Sequence, residues 1–171
     1  MKILIAYATK HGCAENCSKE LASLLKGEVD LCNLKNDFNA SNDLSSYDAV
    51  IIGGSIYAGQ IQKKVREFCK EQMDQLTNKR LGLFICCMFE GDQAATQLNN
   101  SFPKQLLDTA ISRQCFGGEF NLEKMNFFEK LIVKMVNKLE KDKNKSDFKD
   151  STSKVIKNNI YTMADTMNGT K

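Results

Sequence analysis

Apolar runs alternate with amphipathic helical patterns along the chain, and this alternation restricts the fold more than any other feature of the sequence. Three runs, 2–8, 47–54 and 81–88, are apolar almost throughout, as is typical of strands buried on both faces. Run 28–34 alternates like an edge strand, and 114–120 is a weaker strand. Since right-handed βαβ connections leave few alternatives, the pattern predicts an α/β fold with a parallel sheet covered by helices on both faces.

Helical spacing of apolar residues predicts the elements between and after these strands. One helix follows residue 13, a second covers about 62–76, a third about 103–112 and the last about 153–167. Open parallel sheets bind ligands beyond the carboxyl ends of their strands. We therefore expect the loops 9–14, 54–59 and 89–92 to line a single site.

The turn at 9–14, Thr-Lys-His-Gly-Cys-Ala, has the composition of an anion site. It places a hydroxyl, a glycine and a helix start after a buried strand, where free N–H groups and the helix dipole favour negative charge. The turn matches neither the GxGxxG nor the GxxxxGK[ST] pattern, which argues against dinucleotides and triphosphates. We predict a site for one phosphate at the Thr9 hydroxyl and the N–H groups of about residues 10–14. The alternative is that Thr9 only caps the helix.

A second loop, 53–59, has the sequence Gly-Gly-Ser-Ile-Tyr-Ala-Gly and follows the third strand. Glycine allows a flat ligand to approach the backbone closely, and Tyr57 offers an aromatic face. The alternative is a plain glycine-rich turn between a strand and a helix.

Together the two loops resemble those of the flavodoxin-like fold. The turn Tyr-Ala-Thr-Lys-His-Gly is similar to the FMN phosphate loop, and 51–59 is similar to the loop that covers the isoalloxazine ring. More narrowly, Gly-Ser-Ile-Tyr-Ala-Gly and the segment 127–135 resemble the flavodoxin-like protoporphyrinogen oxidases, which are quinone-dependent dehydrogenases. The resemblance implies one flavodoxin-like domain over 1–171, with a doubly wound five-stranded parallel sheet in the order 2-1-3-4-5. It also implies an amphipathic helical insertion at about 122–150, before the last helix.

The resemblance implies that FMN is the cofactor and that three loops hold it. The phosphate residues would be Thr9, Lys10, His11, Gly12, Cys13 and Ala14; the ring residues Ser55, Ile56, Tyr57, Ala58 and Gly59; and the third-loop residues Phe89 and Glu90. No catalytic side chain is expected, because the flavin carries the chemistry. Relatives favour Ser-Thr where Cys13-Ala14 stand. Each lost hydroxyl hydrogen bond removes ~1 kcal/mol, which predicts FMN binding about tenfold weaker or more unless Lys10 or His11 compensates.

The activity implied by the resemblance is the oxidation of a reduced small molecule, protoporphyrinogen IX, with electrons passed to a quinone or a redox protein. One alternative is a flavodoxin-type electron carrier, or a general FMN reductase, without porphyrin activity. A further alternative is a flavin-free interaction module on a degenerate flavodoxin fold.

The formal net charge of +3 is concentrated in the segment 123–145, which holds seven lysines and four acidic residues. A basic amphipathic helix suits an anionic membrane surface or a partner groove. At ~1 kcal/mol per unpaired lysine, about 3 kcal/mol is the upper bound, enough for weak and reversible contact. We expect a cytoplasmic protein with peripheral contact at the inner face of the cell membrane through 124–145. The alternative is that the apolar face of this helix packs on the sheet. Nucleic-acid binding is not expected, since aromatic residues do not interleave the basic ones.

The seven cysteines are odd in number and have no CxxC spacing, which indicates reduced thiols used as small hydrophobic residues. Cys13 and Cys17 share a helix face, but His11 is the only histidine, so a zinc site lacks ligands. We therefore predict no metal site. The chain shows no signal-peptide pattern and no apolar run of about 20 residues.

Overall fold

The centre of the structure, a computed structural model that describes residues 1–36, 43–121 and 151–169, is a parallel sheet. Its strands are β1 (Lys2–Ala8), β2 (Glu28–Asn33), β3 (Ala49–Tyr57), β4 (Gln60–Ile61), β5 (Arg80–Cys86) and β6 (Ser112–Cys115). The parallel strands lie in the order β2-β1-β3-β5-β6, and the short β4 pairs antiparallel with the end of β3. With β4 set aside, this is the predicted order 2-1-3-4-5, and the flavodoxin-like fold is confirmed.

Helices cover both faces of the sheet, as predicted. The helices are α1 (Cys13–Leu24), α2 (Lys63–Glu71), α3 (Met73–Leu76), α4 (Gly91–Ser101), α5 (Lys104–Thr109) and α6 (Lys157–Asn168). Buried residues of α1 and α6 form one apolar cluster with one face of the sheet. Buried residues of the other four helices form a second cluster with the opposite face. Among the described residues, no helix is both long and apolar enough to cross a bilayer.

The continuous apolar runs follow from this two-sided burial. In β1, Ile3 and Ile5 face the cluster of α1 and α6, whereas Leu4 and Ala6 face the other cluster. All four are no more than 5% exposed, because successive strand residues point to opposite, covered faces.

Gly53 in β3 makes room for a core aromatic residue. A Cβ at this position would lie 2.3 Å from atoms of the Phe84 ring, which stacks on Phe116 with 4.6 Å between the centroids. A Cβ at Gly54 would lie 3.0 Å from the Ala8 carbonyl oxygen. Both glycines therefore serve core packing, and the approach of a flat ligand to this loop stays a prediction.

Several element boundaries differ from the predictions. The helix predicted over 62–76 is interrupted at Gln72, which is buried and has φ −105° and ψ 13°. The helix α4 was not predicted at all. The single strand predicted at 114–120 is two strands, since β6 ends at Cys115 and β7 (Gly117–Asn121) follows Phe116.

The start of the last helix was also predicted too early. Residues 153–155 belong to β8 (Ser151–Val155), which pairs antiparallel with β7. The N–H of Ile156 then donates to the Phe116 carbonyl at 2.9 Å, and α6 begins only at Lys157. Pairing with a strand distant in sequence overrides the local helical pattern. The predicted insertion at 122–150 lies outside the described residues.

Candidate functional site

A cavity of about 280 Å³ lies at the carboxyl ends of β1, β3 and β5. Nine of the thirteen predicted site residues line it: Lys10, His11, Cys13, Ser55, Ile56, Tyr57, Ala58, Gly59 and Phe89. Cys86, Cys87, Met88, Gly118 and Glu119 complete the wall and were not predicted. Thr9, Gly12, Ala14 and Glu90 do not line the cavity. The fold therefore brings the three predicted loops together, while their role in binding stays a prediction.

The Thr9 hydroxyl holds the shape of the first turn. Its Oγ1 accepts a hydrogen bond from the Gly12 N–H at 3.0 Å and lies 3.5 Å from Ser55 Oγ. Thr9 is only 8% exposed, and Ala14 is fully buried in the core. The helix begins at Cys13, so the N–H groups of its first turn have no acceptor within the helix. These groups, together with Lys10, are the part of the turn suited to an anion.

The second predicted loop is a β-hairpin. Strand β3 continues through Tyr57, and β4 returns after a two-residue turn in which Ala58 has φ 48° and Gly59 has φ 75°. Positive φ at both central residues is typical of a type I′ turn, which matches the twist of the flanking strands. Asn-Gly is the usual signal for this turn, and Ala-Gly is a weak one, which is why the sequence predicted a loop.

The cation of the first turn covers the aromatic ring of the hairpin. Lys10 Nζ lies 3.3 Å from the centroid of the Tyr57 ring, a close cation–π contact. Tyr57 is 36% exposed, and Phe89, on the third loop, is 48% exposed. The two aromatic rings predicted to contact a flavin therefore lie at the mouth of the cavity.

Three thiols converge beside the first turn. The Sγ atoms of Cys13, Cys17 and Cys86 lie within 4.8 Å of one another, and all three residues are buried. The thiols of Cys17 and Cys86 donate to the Cys13 sulfur, which lowers the pKa of Cys13 to about 3. The hydrogen bond between Cys17 and Cys13 raises the pKa of Cys17 to about 12. In the sequence only Cys13, Cys17 and His11 are apparent as neighbouring ligands, whereas Cys86 comes from a distant strand that no local spacing links to them.

A larger groove of about 850 Å³ lies next to this cavity. Its wall is formed by Phe89, Glu90, Gly91, Ala94, Ala95, Leu98, Asn99, Arg113, Cys115, Lys154, Val155, Ile156 and Asn159. Glu90 lines this groove instead of the smaller cavity, and its Oε1 lies 3.3 Å from Lys154 Nζ. The walls of the groove come from segments far apart in the chain, so no local sequence pattern indicates this groove.

Comparison of the sequence with protein families gives one match. A family model described as "Flavodoxin domain" matches residues 4–147. A search of curated proteins finds no significant match.

Solved structures with a similar fold include redox proteins. The rubredoxin oxygen:oxidoreductase of Desulfovibrio gigas has a TM-score of 0.48 and 21% identity, over 66% of this chain and 30% of that one. The Flv1 flavodiiron core of Synechocystis sp. PCC6803 has a TM-score of 0.50 and 14% identity, over 69% and 30%. The Fusobacterium nucleatum flavodoxin bound to flavin mononucleotide has a TM-score of 0.41 and 17% identity, over 66% and 68%. The match thus spans 30% of the length of each of the first two proteins.

Proposed function

Because the chain belongs to the flavodoxin domain family, whose model matches residues 4–147, we propose that it binds FMN and acts as an FMN-dependent oxidoreductase. The observation that carries this proposal is the cavity shared by the turn 9–14 and the hairpin. One side of the cavity offers an anion site at a helix start, and the other offers the ring of Tyr57.

The residues present fit the two halves of FMN in chemical character. The first-turn N–H groups of α1 and the Lys10 ammonium would hold the phosphate. Tyr57 and Phe89 would contact the flavin ring. Since Lys10 covers Tyr57, we propose that FMN displaces the ammonium from the ring and that the phosphate then pairs with it. Lys10 would thereby compensate for the hydroxyls that Cys13 and Ala14 do not provide.

When bound, FMN supplies one- and two-electron transfer. The residues of the chain would orient the cofactor and exclude water from one side of it. The buried thiol of Cys86 and the backbone of Gly118 close the floor of the cavity, while the exposed hairpin leaves its mouth open to a reductant or an acceptor.

We further propose that the reduced substrate is protoporphyrinogen IX and that the electron acceptor is a quinone. The support for this step is the sequence resemblance at 127–135 and the charge of +3 within 123–145. That segment lies outside the described residues. It would provide weak peripheral contact with an anionic membrane through 124–145.

A second candidate function, a flavin-free interaction module, is favoured by the Lys10–Tyr57 contact. The cation already occupies the ring face, and a volume of about 280 Å³ is just below the roughly 300–1,000 Å³ of small-molecule sites. In that case Lys10 and Tyr57 would stabilise the hairpin and have no ligand.

Binding of FMN to the purified full chain separates these functions. We expect quenching of flavin fluorescence on titration, with about tenfold weaker binding for Tyr57→Ala and nearly unchanged binding for Tyr57→Phe, because the ring provides the contact. Tyr161→Ala is the matched control, since this tyrosine is also exposed but lies on α6. Failure of the wild-type chain to bind FMN would leave the flavin-free module.

Measurement of enzymatic turnover tests the proposal that protoporphyrinogen IX is the substrate and a quinone the acceptor. We expect the FMN-loaded chain to oxidise protoporphyrinogen IX and to reduce menaquinone. Flavin that can be reduced without porphyrin turnover would instead indicate an electron carrier. Substitution of Lys130, Lys134 and Lys138 by glutamine should weaken binding to anionic vesicles, and unchanged binding would contradict membrane contact through this segment.

A further inference from the structure

Two cysteines outside the proposed flavin contacts form a close pair. The Sγ atoms of Cys87 and Cys115 are 3.4 Å apart. Cys115 pairs with Ile85 in the parallel register of β5 and β6, and Cys87 lies two residues beyond Ile85 and thus on the same face of the sheet. A disulfide bond is about 2.05 Å long, so the sulfurs need to approach by only about 1.4 Å to form one.

The two thiols have different environments. Cys87 is 6% exposed, whereas Cys115 is half-buried and lines the large groove. The hydrogen bond shared with the Cys87 thiol, together with backbone N–H groups, lowers the pKa of Cys115 to about 6. The same hydrogen bond and burial raise the pKa of Cys87. Cys115 is therefore the nucleophile near neutral pH, and Cys87 is a protonated thiol beside it.

The groove in front of Cys115 favours anionic ligands. Arg113 and Lys154 line it, and Arg113 has no carboxylate within ion-pair distance in the part of the chain that the structure describes. Glu90 is the acidic residue in the lining, and it already pairs with Lys154. The Nδ2 of Asn159 donates to the Cys115 carbonyl at 2.7 Å and holds this residue at the wall of the groove.

We propose that Cys115 and Cys87 form a thiol–disulfide exchange pair that reduces small anionic disulfides bound in the groove. This activity goes beyond the proposed flavin function and needs no cofactor. Cys87 also lines the smaller cavity, so the pair lies in the wall between the two cavities.

The exchange proceeds in two balanced steps. The Cys115 thiolate attacks one sulfur of the disulfide RS–SR, whose S–S bond breaks, and RS⁻ leaves and takes up a proton. Cys87 then loses its proton and attacks the Cys115 sulfur of the mixed disulfide, which releases the second RS⁻. The Cys87 and Cys115 thiols are oxidised to one disulfide, RS–SR is reduced to two RSH, and the two thiol protons of the chain end on the two products.

The test uses the reduced, cofactor-free full chain and oxidised glutathione, a disulfide that carries carboxylates. Free thiols are trapped by alkylation, and the products are mapped by mass spectrometry. We expect a Cys87–Cys115 linkage, a mass lower by two hydrogens and two reduced glutathione molecules per chain. Cys87→Ser should stop at a glutathione adduct on Cys115, and Cys115→Ser should give neither product. Cys69→Ala is the control, because this buried thiol does not line the groove.

Charge selectivity is tested with cystamine, a cationic disulfide. We expect glutathione disulfide to react faster with the wild-type chain. Arg113→Ala should slow the glutathione reaction about fivefold and should not slow the cystamine reaction. Oxidation of the wild-type chain without a Cys87–Cys115 linkage, or adducts that form first on the half-buried Cys32, would overturn the exchange pair. Equal rates for the two disulfides would overturn the anionic substrate. The wild-type linkage does not depend on the folding of any variant.

Discussion

The Nζ atom of Lys10 lies 3.3 Å from the centroid of the Tyr57 ring, so the predicted phosphate turn and the predicted flavin hairpin contact each other directly. A cation–π contact at an exposed site contributes about 0.5–1 kcal/mol. A charge-assisted hydrogen bond to phosphate contributes about 1.5–3 kcal/mol. The contribution of the phosphate hydrogen bond is the larger, so Lys10 gains free energy when it leaves the Tyr57 ring and pairs with a phosphate.

Removal of the Lys10 charge should affect phosphorylated and unphosphorylated flavins in opposite directions. In Lys10→Met, the affinity for FMN should fall about fivefold, since the phosphate loses its cation, whereas the affinity for riboflavin should rise about twofold, since the ring is uncovered. Flavin fluorescence titrations at fixed salt measure both. Lys104→Met, which removes an exposed lysine on α5, should change neither affinity. A change of equal sign for the two flavins would contradict the proposed exchange.

Restoration of a hydroxyl at Cys13 should strengthen FMN binding. Cys13 lines the cavity at the start of α1, and Ser at this position adds a hydrogen-bond donor near the proposed phosphate. At ~1 kcal/mol per hydrogen bond, Cys13→Ser should tighten FMN about fivefold and leave riboflavin unchanged. Cys17→Ser is the comparison. It buries a hydroxyl in the core, so it should lower the free energy of unfolding by about 1–3 kcal/mol without tightening FMN.

The hairpin turn should accept a more favourable residue at Ala58. This alanine has φ 48°, a left-handed conformation that Asn adopts more readily. Ala58→Asn should therefore raise the free energy of unfolding by about 0.5 kcal/mol, as measured by urea denaturation. Ala95→Asn, in the exposed interior of α4, should lower it by a similar amount, because Asn is a weak helix former. Destabilisation by Ala58→Asn would contradict the type I′ turn.

The reactivity of Cys115 should follow its lowered pKa. Its rate of alkylation by iodoacetamide should rise with pH around a midpoint of about 6, and Cys87→Ala should shift that midpoint toward the ordinary value of 9.0, because the donor to the thiolate is lost. A folded-state pKa below the unfolded value stabilises the fold as pH rises, here between about pH 6 and 9. Peptide mapping after short pulses measures the rate at this site. An unchanged midpoint in Cys87→Ala would show that Cys87 does not set the pKa.

The architecture of the sheet could be predicted because a strand that is buried on both faces has a continuous run of apolar residues. Every position of β1 after Lys2 is buried, and the run 2–8 is apolar for that reason. The grouping of the three predicted loops also follows from the sequence, since parallel strands end at one edge. The resemblance to the flavodoxin-like fold added the strand order.

The contacts that shape the site arise between residues far apart in the chain. The Phe84 ring leaves no room for a side chain at position 53, so Gly53 is required there. Cys86 completes a thiol cluster of which only Cys13 and Cys17 are apparent in the sequence. The pairing of β7 with β8 turns a predicted helix start into a strand and forms one wall of the groove in which Cys115 lies.

Local hydrophobic periodicity thus determines which segments become strands and helices, because the spacing of apolar residues matches the residues that each element buries. Which side chains meet at the ends of those elements depends on long-range packing, and no local pattern records it. The turn 9–14 indicated an anion site from its own residues. Only the tertiary structure shows that Lys10 from this turn rests on Tyr57, because strand pairing brings the ends of β1 and β3 together.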